Sequence, residues 1–247
     1  MKSVLYVSHG SRVEEAKKQA ENFIQSVQSD VNVPLQQICF LEIVNPGIPE
    51  GVERLVNAGA DEIAVIPVLL FAAGHYYKDI PEEIDQLRDI YPHVTFTYGK
   101  PLGVQERLID IMAERIRETQ ITPSSAAKIL VVGRGSKNPA TKKAIETIGR
   151  KLKQKTNVAR VESCFLAVLK PSFDEAVHKS YEDGEQQVFI VPYLWFTGVL
   201  MRSMEDKIKD YGGRFILCQH LGSHPNIQEA LRDRVMQALG QTPENQL

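Results

Sequence analysis

The sequence predicts an α/β fold made of two tandem duplicated lobes, each a mostly parallel sheet flanked by helices. Three observations carry this reading. Val4-Leu5-Tyr6-Val7-Ser8-His9-Gly10-Ser11 returns as Ile129-Leu130-Val131-Val132-Gly133-Arg134-Gly135-Ser136, Cys39-Phe40-Leu41-Glu42 returns as Cys164-Phe165-Leu166-Ala167, and Ile66-Pro67 returns as Val191-Pro192. All three matches share one offset of 125 residues (134 minus 9, 164 minus 39, 192 minus 67), which chance does not produce. Within each copy, short β-rich runs alternate with longer helical patterns, as βαβ units require. The third run, Ile63-Ala64-Val65-Ile66, is apolar throughout, as a strand covered on both faces must be.

The elements follow in order. A first strand spans residues 3–7, and a helix over 13–28 follows the turn at Gly10-Ser11. Strands at 35–41, 62–69 and 94–98 then alternate with helices at 48–58, 80–90 and 104–118. Turn formers in Ile121-Thr122-Pro123-Ser124-Ser125 interrupt the periodicity and divide a lobe over 1–121 from a lobe over 126–240. The second copy repeats the pattern, with strands at 128–132, 160–166, 187–193 and 214–218. The last seven residues read as a frayed tail.

Composition bounds the function classes. With 43% hydrophobic and 24% charged residues, a chain of 247 residues buries a substantial core. A net charge of -2 argues against a nucleic-acid partner, which selects basic patches. No apolar run reaches the length of a membrane span, and the start lacks the features of a secretory leader. Three cysteines, Cys39, Cys164 and Cys218, lack CxxC spacing, and their odd number does not suggest a disulfide framework, so the cytoplasm is the expected compartment.

Ligands of open parallel sheets bind beyond the carboxyl ends of the strands. His9 follows the first strand, Glu42 the second and His75 the third, so all three belong on one rim of the first lobe. Two imidazoles and a carboxylate suit a divalent first-row metal and leave coordination positions open. Constant offset places Arg134, Ala167 and about Leu200 at the matching positions. The scaffold persists in both copies while the trio persists in one, as expected of a single site.

Other residues carry weaker signals. Gly10-Ser11 and Gly135-Ser136 each open a helix, where backbone N–H groups can hold an anion, but neither copy has a phosphate-binding loop. Cys218, His220 and His224 have ligand-like spacing within an irregular loop around Gly222 and Pro225. His93 and His178 read as surface residues. Phe71, Tyr76, Tyr77, Trp195, Phe196 and Met201 gather near the third-strand ends, either as core or as a floor for a flat apolar ligand.

The runs Ser8-His9-Gly10-Ser11-Arg12, Phe40-Leu41-Glu42 and Pro67-Val68-Leu69-Leu70-Phe71-Ala72-Ala73-Gly74-His75, together with the duplication, resemble the class II chelatases. The resemblance runs along nearly the whole chain. It is greatest to the sirohydrochlorin chelatases of the sirohaem and cobalamin pathways in their long two-lobed form. It implies an enzyme inserting Fe²⁺ into sirohydrochlorin, with Co²⁺ insertion as the alternative and Ni²⁺ as a further ion the site accepts. A metal or tetrapyrrole carrier without turnover is the competing class. The resemblance also implies a monomer with a cleft between two lobes, and no cofactor beyond the substrate metal. His9 and His75 would bind the metal, Glu42 would stand beside them, and either histidine or Glu42 can accept a displaced proton. The substrate's carboxylates invite Arg12, Arg134, Lys137, Lys170 and Arg202, with Ser11 and Ser136 as further polar contacts. The chain departs from the short single-lobe form in having Arg134 where a histidine would stand. It also lacks a histidine- or cysteine-rich tail, so no iron–sulfur cluster is expected.

Overall fold

Apolar runs occupy the strand positions because both faces of each sheet are covered. In the computed structural model, which describes residues 1–196 and 199–241, strand β1 (Lys2–Ser8) buries Val4, Leu5, Tyr6 and Val7 completely. Helix α1 (Glu14–Gln28), β2 (Leu35–Phe40), α2 (Ile48–Asn57) and β3 (Glu62–Pro67) follow. A π-helical turn, His75–Asp79, then runs into α3 (Ile80–Ile90), β4 (Thr95–Tyr98) and α4 (Glu106–Glu118). The second copy contributes β5 (Lys128–Gly133), α5 (Pro139–Thr156), β6 (Arg160–Phe165), α6 (Phe173–Glu182) and β7 (Val188–Pro192). It ends with α7 (Val199–Ile208), β8 (Phe215–Leu217) and α8 (Pro225–Ala238). The expected tail from Gln241 lies outside the described residues beyond position 241.

Each copy forms one parallel sheet, in the order β2-β1-β3-β4 and β6-β5-β7-β8. Register repeats as well: Val7 pairs with Cys39 and Pro67, and Val132 with Cys164 and Pro192. The repetition reaches the loops. Leu41 N–H donates to Ser8 O at 2.9 Å and Leu166 N–H to Gly133 O at 3.0 Å. Ile43 and Val168 occupy the same step with φ of 75° and 66°, a conformation that β-branched residues rarely adopt.

Two compact units result: Met1–Gly103 together with the chain from Ile227, and Val104–Asn226. This division differs from the one expected at residues 121–126. The apolar stripe of α4 (Leu108, Ile109, Ile111, Met112, Ile116) is buried in the second unit, whereas α8 buries Ile227, Leu231 and Val235 in the first. Burying such a side chain is worth roughly 1.5–3 kcal/mol, so these stripes decide where the helices dock. In the first unit, α8 is held to α1 by Gln228 Nε2 donating to Ser26 Oγ at 3.0 Å, and Arg234 donates to Leu102 O at 2.7 Å. The opposite face of that sheet packs Leu5, Val7, Cys39 and Val65 against Ile48, Val52, Ile84 and Leu87 of α2 and α3. In the second unit, Leu130, Val132 and Ile190 pack against Phe173, Val177, Met204 and Ile208 of α6 and α7. Among the described residues, no helix is long and apolar enough to cross a membrane.

Candidate metal centre

In the order β2-β1-β3-β4 the chain first steps to one side of β1 and then to the other. The crevice at the carboxyl ends of β1 and β3 is therefore the topological switch point, where open α/β sheets bind ligands. His9 leaves β1 directly. Glu42 lies two residues beyond β2, and His75 opens the π-helical turn after β3. One ligand atom from each lies within 4.8 Å of the other two, and these residues are the one such group of three among the described histidines, cysteines and acids.

Local contacts fix the three side chains. His9 Nδ1 is 3.4 Å from Glu42 Oε1, and the His9 and His75 rings meet edge to face with centroids 4.8 Å apart. Gly10 (φ +91°) lets the second loop press against the first: a Cβ there would sit 2.1 Å from Glu42 O. His75 Nδ1 bonds Asp79 Oδ2 at 2.6 Å. The turn carrying it is tied down from β4, where Tyr98 stacks on Tyr76 and its hydroxyl donates to Tyr76 O at 3.0 Å. Burial, with Tyr76 beside it, pushes the Tyr98 hydroxyl well above the ordinary phenol range, so it stays a donor. Further along α3, burial and the neighbouring Asp79 raise the Glu83 carboxyl.

Ligands about 2.0–2.2 Å from one ion are at most about 4 Å apart. Small rotations of these three part-exposed side chains therefore bring them within reach of a single ion. Two imidazoles and a carboxylate on an open rim are the donor set of an exchangeable site, one that could hold a first-row M²⁺ and release it to better ligands.

The sequence profile of the CbiX family matches residues 3–119 and again 128–238. This chain belongs to the CbiX family. It is similar to the sirohydrochlorin ferrochelatase of Priestia megaterium, with 41% identity covering 95% of this chain and 90% of the relative. It also resembles the sirohydrochlorin cobaltochelatase of the same organism, at 37% identity over 97% of this chain and 80% of the relative. Among solved structures, SirB from Bacillus subtilis with Fe³⁺ superposes with a TM-score of 0.88 at 36% identity, covering 96% and 95% of the two chains.

Outside the trio, the structure of this CbiX-family chain sorts the remaining expectations. Cys218, His220 and His224 do not converge. Burial raises the Cys218 thiol to about 12, so it stays protonated. Both His224 nitrogens are engaged, Nε2 with Glu114 at 3.1 Å and Nδ1 accepting from Asn226 N–H at 3.1 Å. Burial first, then Arg115, lowers the pKa of His220. His93 and His178 are exposed, as expected.

Ser11 and Ser136 serve their own loops, accepting from the N–H of Val13 at 3.0 Å and Asn138 at 2.9 Å. Helices α1 and α5 start later, at caps Val13 and Asn138. Lys170 is paired with Glu175 at the start of α6, while Arg12, Arg134, Lys137 and Arg202 are exposed. Trp195 is buried and stacks on Phe196, Met201 packs on the second core, and Phe71 and Tyr76 are half-buried. Tyr77 alone of the six is an exposed large aromatic, two residues past His75.

The counterpart of His75 also moves by one. Ile80 and Ile84 match Met204 and Ile208 in burial, an offset of 124 (204 minus 80), which makes Val199 rather than Leu200 the equivalent. The sequence reading leaves Asp79 out; its four-residue spacing from His75 is the signal that would have included it.

Proposed function

We propose that this chain inserts Fe²⁺ into sirohydrochlorin, taking up the metal at His9, His75 and Glu42. The observation that carries the proposal is the gathering of these three at the switch point of the first sheet, in a chain similar along nearly its full length to a ferrochelatase. Insertion consumes M²⁺ and the metal-free macrocycle and releases two pyrrole protons. Neutral imidazoles hold the ion until ring nitrogens replace them one by one, and a half-exposed Glu42 beside His9 is placed to accept a proton. Nothing in this sequence changes the oxidation state of the metal, so no redox partner is required. Arg12, exposed beside the trio's first loop, offers a guanidinium fork to the macrocycle's carboxylates. With both copies in one chain, the enzyme acts as a monomer. Three free, buried cysteines suit the reducing cytoplasm.

Similarity to the cobaltochelatase supports Co²⁺ as the second reading. One anaerobic assay separates the alternatives: substoichiometric protein is mixed with excess sirohydrochlorin and either metal, and the visible spectrum is followed. Many turnovers, faster with Fe²⁺, are expected, and His9→Ala or His75→Ala should remove most of that rate with the circular dichroism unchanged. Faster turnover with Co²⁺ reassigns the metal, and product limited to one equivalent identifies a carrier. Near-normal insertion by either alanine variant refutes the ligand assignment.

A further inference from the structure

We infer that Asp79 is the positioning residue of the metal centre: it holds His75 in the tautomer and orientation that direct Nε2 at the incoming ion. The inference rests on the reading of His75 as a metal ligand. Asp79 Oδ2 lies 2.6 Å from His75 Nδ1, at the short end for a charge-assisted bond. An ionised carboxylate only accepts, so Nδ1 carries the proton and Nε2 keeps the lone pair that a metal needs. Neutral imidazole ligands depend on such a partner on their other nitrogen.

Backbone and duplication point the same way. His75 and Asp79 are the first and last residues of the π-helical turn, which closes with Ile80 N–H donating to His75 O. Such turns are rare and recur at functional sites. Before it, the copies run at an offset of 125: Leu102 N–H donates to Leu69 O as Leu221 N–H does to Leu194 O (194 minus 69). After it the offset is 124, with Ile80 matching Met204 and Ile84 matching Ile208. The first copy thus has one extra residue between positions 69 and 80, the span holding a turn one residue wider than an α-turn. Helix α7 of the second copy is regular from Val199, and Ser203 stands where the first copy has Asp79. The wide turn and the His–Asp pair therefore belong together to the copy that keeps the trio. An ordinary surface pair looks different. His178 meets Glu182 at 3.2 Å through Nε2, with both side chains more than 60% exposed, against 34% and 47% for His75 and Asp79.

The test uses the full chain with Asp79→Ala, Asp79→Asn and His75→Ala. Co²⁺ affinity is read from visible absorption, and kinetics are run with metal and sirohydrochlorin varied in turn. Asp79→Ala is expected to weaken Co²⁺ binding and raise the KM for metal about 10–100-fold, the range for such supporting groups, with the sirohydrochlorin KM unchanged. Asp79→Asn keeps an acceptor without the charge and should fall between. In the metal-free protein, nitrogen-15 NMR of the neutral imidazole should show the His75 proton on Nδ1, and a mixed tautomer in Asp79→Ala. Unchanged Co²⁺ affinity in Asp79→Ala, alongside its loss in His75→Ala, overturns the role of Asp79 and leaves the ligand reading standing. Unchanged affinity in His75→Ala overturns the ligand reading itself. Equal rises in both KM values with a large fall in Tm would assign Asp79 a purely structural role.

Discussion

Replacing Gly10 by alanine tests the route from backbone packing to metal chemistry, because Gly135 supplies a matched control. Gly10 and Gly135 share one conformation, φ +91° and +89°, and a Cβ on either would collide with a loop carbonyl. The contact is Glu42 O at 2.1 Å in the first copy and Ala167 O at 1.9 Å in the second. Relief to 3.0 Å moves the facing loop by roughly 1 Å. A side chain forced into this region costs about 1–2 kcal/mol before the collision is added, so each variant should lose on the order of 2–3 kcal/mol. For a chain of this size that is a fall of about 5–10 °C in Tm. Chemistry separates the two. In Gly10→Ala the displaced loop carries Glu42, and a misplacement of about 1 Å can lower turnover about a hundredfold. Gly135→Ala moves Ala167, which ligates nothing, so Co²⁺ affinity should stay at the wild-type value. Calorimetry and Co²⁺ titration well below both melting points make the comparison. Wild-type Co²⁺ affinity in Gly10→Ala, or equal losses in both variants, would refute the idea that this close approach sets the geometry of the trio.

Two further outcomes follow from the second unit. His220 has a folded pKa lowered by burial and by Arg115, so protons favour the unfolded chain. Its contribution is present above the usual imidazole value of about 6.5 and is lost as pH falls below it, and His220→Gln should flatten the fall in stability below about pH 6.5 in thermal melts. Arg134, exposed at the position equivalent to His9, cannot ligate a cation but suits a carboxylate. Arg134→Ala should raise the sirohydrochlorin KM about tenfold while leaving the metal KM unchanged, and an unmoved sirohydrochlorin KM would remove Arg134 from substrate binding.

The fold was legible because its two strongest signals can be read along the chain itself. Ile63-Ala64-Val65-Ile66 marks a buried parallel strand, and an offset of 125 residues marks a second copy, with no knowledge of contacts between distant elements. The trio was legible for a related reason: in a parallel sheet, strand order along the chain already assigns His9, Glu42 and His75 to one rim. The docking of α4 and α8 was not. An amphipathic helix shows that it has a buried stripe, but Leu108, Met112 and Ile116 do not name the sheet that covers them. The shift from Leu200 to Val199 was hidden similarly, since a constant offset carries straight through a turn that absorbs one extra residue. Cys218, His220 and His224 remained a weak signal because spacing records reach along the chain, whereas ligation needs exposed, deprotonated, converging atoms.

Duplication also separates what the fold demands from what the chemistry demands. Features present in both copies serve the scaffold: the close approach at Gly10 and Gly135, the strained Ile43 and Val168, and the buried Cys39 and Cys164. A catalytic explanation of any of these must also explain why it persists beside Ala167, whose side chain has no ligand atom to offer. Features confined to the first copy are His9, Glu42, His75, Asp79 and the wide turn between the last two. A purely structural explanation of that turn meets the reverse difficulty, because the second sheet, with the same strand order and the same register, packs Met204 and Ile208 from a regular helix without it. The extra residue therefore does not serve packing. Its effect is to start the third-strand helix with a histidine whose ring is turned by an acid four residues on, at the edge of the crevice between β1 and β3.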